Sequence, residues 1–323
     1  MKTPPKVSII IPCREIDAYT KQCMRECLKL DYDNFDIILL PDSGSNDRFP
    51  KTKIMPTGPV LPSIKRNAAA KKTSADVLAF IDSDAYPEKS WLRNALEVME
   101  KRGAEVTGGP NLLPPDDGML QKASDDVLSS RIAAGHFAAR YSMTSYREVN
   151  ELPSCNLLVK RKLFNRIGGF DASLLTAEDA KLCFEARKLG KKIVYDPGVI
   201  VYHHRRPLFR PHLQQIWVYG RDKAHIVKSF FSKDKIFYFL PSIFVLALVS
   251  GFMLSFNPWL QIPLIRNLYT GAVLLYVVVV AAASLLKSPK RFWLVFPGII
   301  LTHISYGVGF LCGLIARNKG SKK

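Results

Sequence analysis

Residues 79–87 read AFIDSDAYP, two aspartates one position apart directly after an apolar run. Side chains i and i+2 of an extended chain leave on the same side, so Asp82 and Asp84 can face one site. Convergent carboxylates suit a hard divalent cation, which takes oxygen ligands but keeps water and phosphate in much of its shell. On that reading the pair clamps a metal ion over a phosphorylated substrate. The plainer reading is a helix cap, with Pro87 near the first turn of the helix that follows. Other acids raise the same choice. Asp42 in PDSGSND (41–47) reads locally as a turn aspartate. Glu178 and Asp179 open a helix that Thr176 would cap, with Asp179 completing a box-like arrangement; the helix dipole alone also favours acids there. Lys65, Arg66 and Asn67 open another helix after a proline, and Lys65 reads equally well as a solvated surface charge. His203 and His204 end the run VIVYHH. Adjacent strand residues face opposite ways, so at most one of them can join a site. His136 and Cys155 read as packing or loop residues, and no Ser/His/Asp triad or phosphate-binding glycine loop is evident.

These residues need a scaffold. Short β-rich runs at 7–11, 35–40, 76–82, 104–109, 154–160 and 192–197 alternate with helical patterns at about 17–30, 63–72, 88–102 and 177–189. Continuous apolar strands separated by helices predict an α/β domain with a mostly parallel sheet covered on both faces. In such sheets ligands sit beyond the carboxyl ends of the strands, and both PDSGSND and DSDAYP begin there. The segment 110–150 is loop-rich, then polar-helical, and could form a flap.

The second part of the chain is different in kind. Of 323 residues, those from 201 onward hold 16 Lys+Arg and 2 Asp+Glu, whereas the first 200 hold 30 and 26. The late cations are interleaved with apolar runs, which favours an anionic membrane surface over nucleic acid as partner. HHRRPLFRPHLQQIWVYGRDKAHIVKSFF mixes cations with aromatic and aliphatic residues, as a helix in the headgroup plane does. The runs 236–256 and 268–286 each supply the ~20 residues that cross a bilayer core. The run 292–316 contains Pro297, Gly298 and His303. A full third crossing would leave RNKGSKK outside, against the positive-inside trend, so this run is expected to be either a third span or a re-entrant hairpin broken near Pro297–Gly298. The expected organisation is 1–205 catalytic, 206–235 interfacial and 236–323 membrane domain. Six cysteines show no paired spacing, consistent with a reducing setting, and VSIII is too short for a signal-peptide core.

Taken in series, VSIIIPCRE, PDSGSND, KRNAA, FIDSDAYP and TAEDAKLCFEARKLGKKIVYDPGVIVYHH resemble the family 2 glycosyltransferases over about residues 6–206. The tail resembles the membrane-anchored, succinoglycan-type (ExoA-like) branch. The resemblance implies a Rossmann-like GT-A domain followed by an α-helical membrane domain, inverting sugar transfer, and Mn²⁺ or Mg²⁺. Asp84 would hold the metal, with Asp82 sharing it or near the ribose. His203 would be an added ligand, since imidazole suits Mn²⁺ better than Mg²⁺. Pro12, Glu15, Asp42, Arg66, Asp82 and Arg221 would bind the donor; Asp42 would read the base, although Ser43 stands where a second acid is usual. Asp179 would be the general base, supported by Glu178. QIWVYGR (215–221) departs from the QxxRW motif of processive synthases, which argues against polymerisation; Arg221 could contact phosphate or simply snorkel. The expected activity moves a sugar from a UDP- or GDP-linked donor to a lipid-linked acceptor on the cytosolic face of the cell membrane. The alternatives are a polyprenyl-phosphate sugar synthase and a non-catalytic membrane sugar-binding or carrier subunit.

Overall fold

The structure is a computed structural model that describes residues 4–174, 176–229, 231, 233–257 and 262–316. The chain divides into two compact units. The first comprises 1–115 and 139–204. Its strands are β1 (Val7–Pro12), β2 (Phe35–Leu40), β3 (Thr52–Ile54), β4 (Val77–Phe80), β5 (Ala85–Pro87), β6 (Val106–Gly108), β7 (Asn111–Leu112), β8 (Arg147–Glu148), β9 (Leu157–Lys160), β10 (Ile193–Tyr195) and β11 (Val201–His203). The main sheet runs β3-β2-β1-β4-β9-β6-β10-β8. β1 pairs in parallel with β2 and β4, β2 with β3, and β6 with β10. β9 is antiparallel to both its neighbours, and β8 to β10.

The apolar alternation of β1 explains why both faces are covered. Val7, Ile9 and Ile11 enter one core with Cys23 and Trp91, whereas Ile10 enters the other with Phe80, Phe164 and Leu182. All six long strands and all four helices expected from the sequence are present, the helices as Ala18–Cys27, Pro62–Ala70, Trp91–Arg102 and Glu178–Lys188. The run 154–160 starts as a 3₁₀ turn, Ser154–Asn156, before extending into β9. Thr176 does not cap the 178–188 helix. The cap position is Ala177, left-handed at φ 63° with no side-chain capping bond. A second small sheet, β5-β11-β7, follows β4 in space because β11 pairs antiparallel to β5, with His203 opposite Ala85.

The second unit comprises 116–138 and 205–323. Its long helices are Met119–Leu128, Arg210–Ser229, Leu240–Ser255, Pro263–Lys287 and Phe292–Ile315. The part of the 110–150 segment that belongs here is fastened rather than loose. Arg205 Nε donates to Asp125 Oδ1 (2.8 Å) and Arg291 Nε to Asp126 Oδ2 (2.6 Å). His212 bridges Ser124 Oγ (2.8 Å) and Thr302 Oγ1 (2.9 Å). Three helices, over Lys235–Ser255, Pro263–Lys287 and Pro289–Ile315, are long and apolar enough to cross a membrane. The hairpin expected at Pro297–Gly298 is absent, because 292–315 is one continuous helix. Pro297 falls early in it and removes a single i→i−4 bond, while Gly298 allows contact so close that a Cβ would lie 2.9 Å from Val127 Cγ2. RNKGSKK lies outside the described residues.

Candidate active site

The site is assembled where β1, β2 and β4 end. Asp82 follows β4 by two residues, and Ala85 N–H donates to its backbone carbonyl (3.1 Å), folding the chain back into β5. That turn leaves Asp84 beside β11. His203 Nε2 lies 3.2 Å from Asp84 Oδ1, and one ligand atom each from Asp82, Asp84 and His203 all lie within 4.8 Å of one another. Cis ligands of an octahedral ion at ~2.1 Å are ~3 Å apart and trans ligands ~4 Å, so two carboxylates and an imidazole at this spacing fit a divalent cation. Burial opposes protonation of the His203 ring, but the Asp84 carboxylate outweighs it and raises its pKa. A cation in the same place would reverse that preference and call for neutral imidazole. His204 faces the other way. Its ring packs on Tyr19 and Tyr86, and Nε2 meets Gln22 Oε1 at 3.1 Å.

Arg66 links the aspartates to the 178–188 helix. Its side chain is 3% exposed, with Nη2 bonded to Asp82 Oδ1 (2.6 Å) and Nη1 to Glu178 Oε1 (2.7 Å). One guanidinium therefore separates the two carboxylates. Burial works against its charge, but Asp82 and Glu178 more than compensate. Arg66 Nε is buried without a hydrogen-bond partner among the described residues. Glu178 is itself buried, and that burial, with Asp179 adding to it, pushes its carboxyl up to about 7 despite Arg66.

Asp179 is held by backbone donors. Oδ2 accepts from Ser154 N–H (3.0 Å) and Oδ1 from Ala180 N–H (2.7 Å). Each oxygen keeps a lone pair for another proton donor. The turn that supplies the Ser154 amide also places buried Cys155 against the His203 ring. Its third residue, Asn156, is fully buried: Oδ1 accepts from Trp91 Nε1 (2.9 Å) and Nδ2 donates to Pro110 O and Val199 O. Sequence reasoning passed over Ser154 and Asn156. An asparagine inside SCNLLV was a usable signal, because a buried amide must find partners.

Lys65 is corrected. It is buried, not a solvated charge: Nζ donates to Cys13 O (2.7 Å) and Leu40 O (3.1 Å) and pairs with Asp42. These contacts hold the end of β1, at buried Pro12, and the segment after it, with exposed Glu15, beside Asp42. Arg221 belongs to the second unit, where Nε bonds Asp222 Oδ1 (2.8 Å) and the guanidinium lies 5.4 Å from the Trp217 ring centre.

An eight-stranded mixed sheet carrying an Asp-x-Asp turn, a facing histidine and an acid pair at a helix start defines a GT-A-type α/β domain. The chain belongs to the glycosyltransferase-like family 2, whose model matches residues 4–220. It is 21% identical over 339 residues to a dolichyl N-acetyl-alpha-D-glucosaminyl phosphate 3-beta-D-2,3-diacetamido-2,3-dideoxy-beta-D-glucuronosyltransferase of Methanococcus voltae, covering 98% of this chain and 99% of the relative. It is 26% identical over 164 residues to a pre-mycofactocin glycosyltransferase of Mycobacterium tuberculosis, covering 50% of this chain but only 34% of that relative's length. Among solved structures, a mannosyltransferase of Pyrobaculum calidifontis in complex with GDP-Man and Mn²⁺ superposes with a TM-score of 0.64 at 15% identity, over 96% of this chain and 88% of its own. That likeness is one of fold.

Proposed function

We propose that the chain is a membrane-anchored inverting glycosyltransferase that moves one sugar from a UDP- or GDP-linked donor to a hydroxyl of a lipid-linked saccharide. The observation that carries this is the cluster of Asp82, Asp84 and His203, tied through Arg66 to Glu178 at the start of the helix that carries Asp179. Asp82, Asp84 and His203 would hold a divalent cation, which when bound supplies Lewis-acid neutralisation of the donor diphosphate. Arg66 fixes the Asp82 carboxylate and brings a buried positive charge to the diphosphate side of the site. Asp42, positioned by Lys65, addresses the nucleobase beside Pro12 and Glu15. Asp179 takes the acceptor proton, its carboxylate aimed by the Ser154 and Ala180 amides. Inversion asks for one such base and no enzyme nucleophile. Glu178, its carboxyl raised to about 7 by burial and by Asp179, supports Asp179 as its neighbour and anchors Arg66. Arg221 serves phosphate on the membrane side.

The lipid acceptor is supported by the three long apolar helices and by the named activity of the Methanococcus relative. The tail's resemblance to the succinoglycan-type branch points to polysaccharide or glycoconjugate synthesis, with the catalytic domain in the cytosol. Asp179→Asn should reduce transfer by ~10²–10⁴-fold while the Mn²⁺-dependent thermal shift with nucleotide sugar is retained. Turnover within a few-fold of the parent would remove Asp179 from the role of base and favour the phosphate-accepting alternative.

A further inference from the structure

Phe292–Ile315 has the length and composition of a span, but its surroundings are those of a different element. In the candidate span 289–315, 39% of the apolar window is buried inside the protein, against 11% for each of the other two. The buried residues Val295, Ile299, Thr302, Phe310 and Gly313 stand three, four or eight positions apart, which returns each to the same side, so one face is covered along the helix.

The covering elements meet it with apolar side chains and main chain, but they also carry charged residues. Helix 210–229 runs alongside in parallel. A Cβ at Gly309 would fall 2.2 Å from Trp217 O, one at Gly313 2.3 Å from Arg221 O, and one at Gly220 2.3 Å from Tyr306 O. Ser305 Oγ donates to Leu213 O (2.7 Å), and Lys228 Nζ donates to Gly313 O (2.9 Å) and Ala316 O (2.8 Å). On its first turns the helix is flanked by 119–134, through Arg291–Asp126 and His303 Nε2 to Ile132 O (2.9 Å). If this helix crossed a bilayer, its companions would carry Arg131, Arg210, Arg221, Asp222 and Lys223 through or across it, where ionised side chains are rare. The hairpin Leu240–Ser255/Pro263–Lys287 is the opposite case. Among the described residues it meets 292–315 near its base, through Pro241, Ser242, Phe244, Val245, Tyr276 and Val280. No residue in 246–254 or 262–275 is buried.

The opposite face of 292–315 carries an apolar stripe at helical spacing: Trp293, Val308 and Ile315 are exposed, at 82%, 37% and 85%, and Leu301 and Ile304 between them are half-buried. Both ends are cationic, Lys287, Lys290 and Arg291 at one and the RNKGSKK sequence at the other. A crossing would send one of these clusters to the far side. A helix lying flat keeps both at the same anionic headgroups.

We infer that Phe292–Ile315 lies in the plane of the membrane face, with its Trp293–Ile304–Ile315 stripe seated in one anionic leaflet, and that only the 240–287 hairpin crosses. The partner of this surface is a lipid monolayer, and residue 316 is on the same side as the catalytic unit. The inference shares only the membrane anchor with the proposed function, and its outcome leaves the Asp179 assignment untouched.

Of the six native cysteines only Cys312 is exposed, so Cys312→Ser gives a quiet background for labelling the full chain in native membranes. Single cysteines at Lys101, Asn257 and Ala316 are treated with a membrane-impermeant maleimide from each side. The expected result is that Lys101→Cys and Ala316→Cys react from one side and Asn257→Cys from the other. Separately, Trp293→Cys, Ile304→Cys and Ile315→Cys carry a spin label in vesicles containing phosphatidylglycerol, and depth is read from oxygen against nickel-chelate relaxation. Equal depth at all three supports the in-plane helix. Positions 293 and 315 are ~33 Å apart along the axis, so a crossing helix makes Ile304 deepest with shallow ends. That pattern, or Ala316→Cys reacting from the side opposite Lys101→Cys, overturns the inference.

Discussion

Replacing Glu178 by glutamine tests the acid–arginine–acid chain quantitatively, because the change keeps the acceptor oxygen that Arg66 Nη1 uses and removes only a titrating proton. Glu178 has its carboxyl raised from 4.5 to about 7, chiefly by burial and then by Asp179. In an unfolded chain it titrates near its ordinary value. Between those two values the folded protein holds a proton that the unfolded chain has released, so stability must fall as pH rises through this window. Below ~4.5 both states are protonated and above ~7 both are ionised, so the contribution is flat outside it. At ~1.4 kcal/mol per pKa unit, the full effect is about 3 kcal/mol. For a domain of this size that is roughly 6–12 °C in Tm. The assay is the difference in apparent Tm between parent and Glu178→Gln, full-length in detergent without divalent metal, from pH 4.5 to 8. The parent should lose ground to the variant steadily from pH 5 to 7. A difference that does not change with pH, or one in which the parent gains as pH rises, would mean that Arg66 rather than burial governs Glu178, and the reasoning would be refuted.

Three other outcomes follow from the same structure. Mn²⁺ at about a hundred times its Kd should stabilise the parent by about 2.7 kcal/mol, and Asp84→Ala or His203→Ala should each lose most of that in a thermal melt; a shift as large as the parent's would remove these residues from the metal site. Lys65→Met strands Asp42 and two main-chain carbonyls at once, and should cost about 3 kcal/mol, read as a lowered Tm; a near-neutral result would put Lys65 back in solvent. Gly309→Ala drives a Cβ to 2.2 Å from Trp217 O and should cost about 1–3 kcal/mol, whereas Gly44→Ala, with nothing within 4 Å of its Cβ, should stay within about 0.5 kcal/mol in the same detergent melts.

The long elements were legible because their signals are local. Ile9, Ile10 and Ile11 announce a strand covered on both faces, and Ala18–Cys27 carries its own cap, with Asp17 Oδ1 accepting from Thr20 N–H at 2.8 Å. β6 and β10, though only three residues long, sit in longer apolar runs, whereas the three-residue β3, β5 and β11 and the two-residue β7 and β8 have no such run to show a period, though VIVYHH hinted at β11. The short helix Arg161–Ile167, ended by left-handed Gly168, was hidden behind β9. The motif residues Asp82, Asp84, Glu178 and Asp179 could be named in advance, but their partners could not. Lys65 reads as a surface cation until Cys13, 52 residues earlier, supplies a carbonyl. Which of two adjacent histidines turns inward was decided by the β5–β11 register, a pairing of residues more than a hundred positions apart. At Pro297 the local breaker signal was outvoted by packing along the helix's whole length.

The turn Ser154–Asn156 touches three things in three consecutive residues: the Asp179 carboxylate, the His203 ring, and the buried Trp91 indole. Such a joint makes independent tuning difficult. With Asp179 and His203 in their proposed roles, a substitution that shifts this turn would detune proton removal and donor grip together, and double-mutant cycles pairing Asn156 with Asp179 or with His203 should depart from additivity. The adaptable parts of the enzyme are then the loops that miss this joint, and changes in sugar or acceptor preference should accumulate there while these three residues stay fixed.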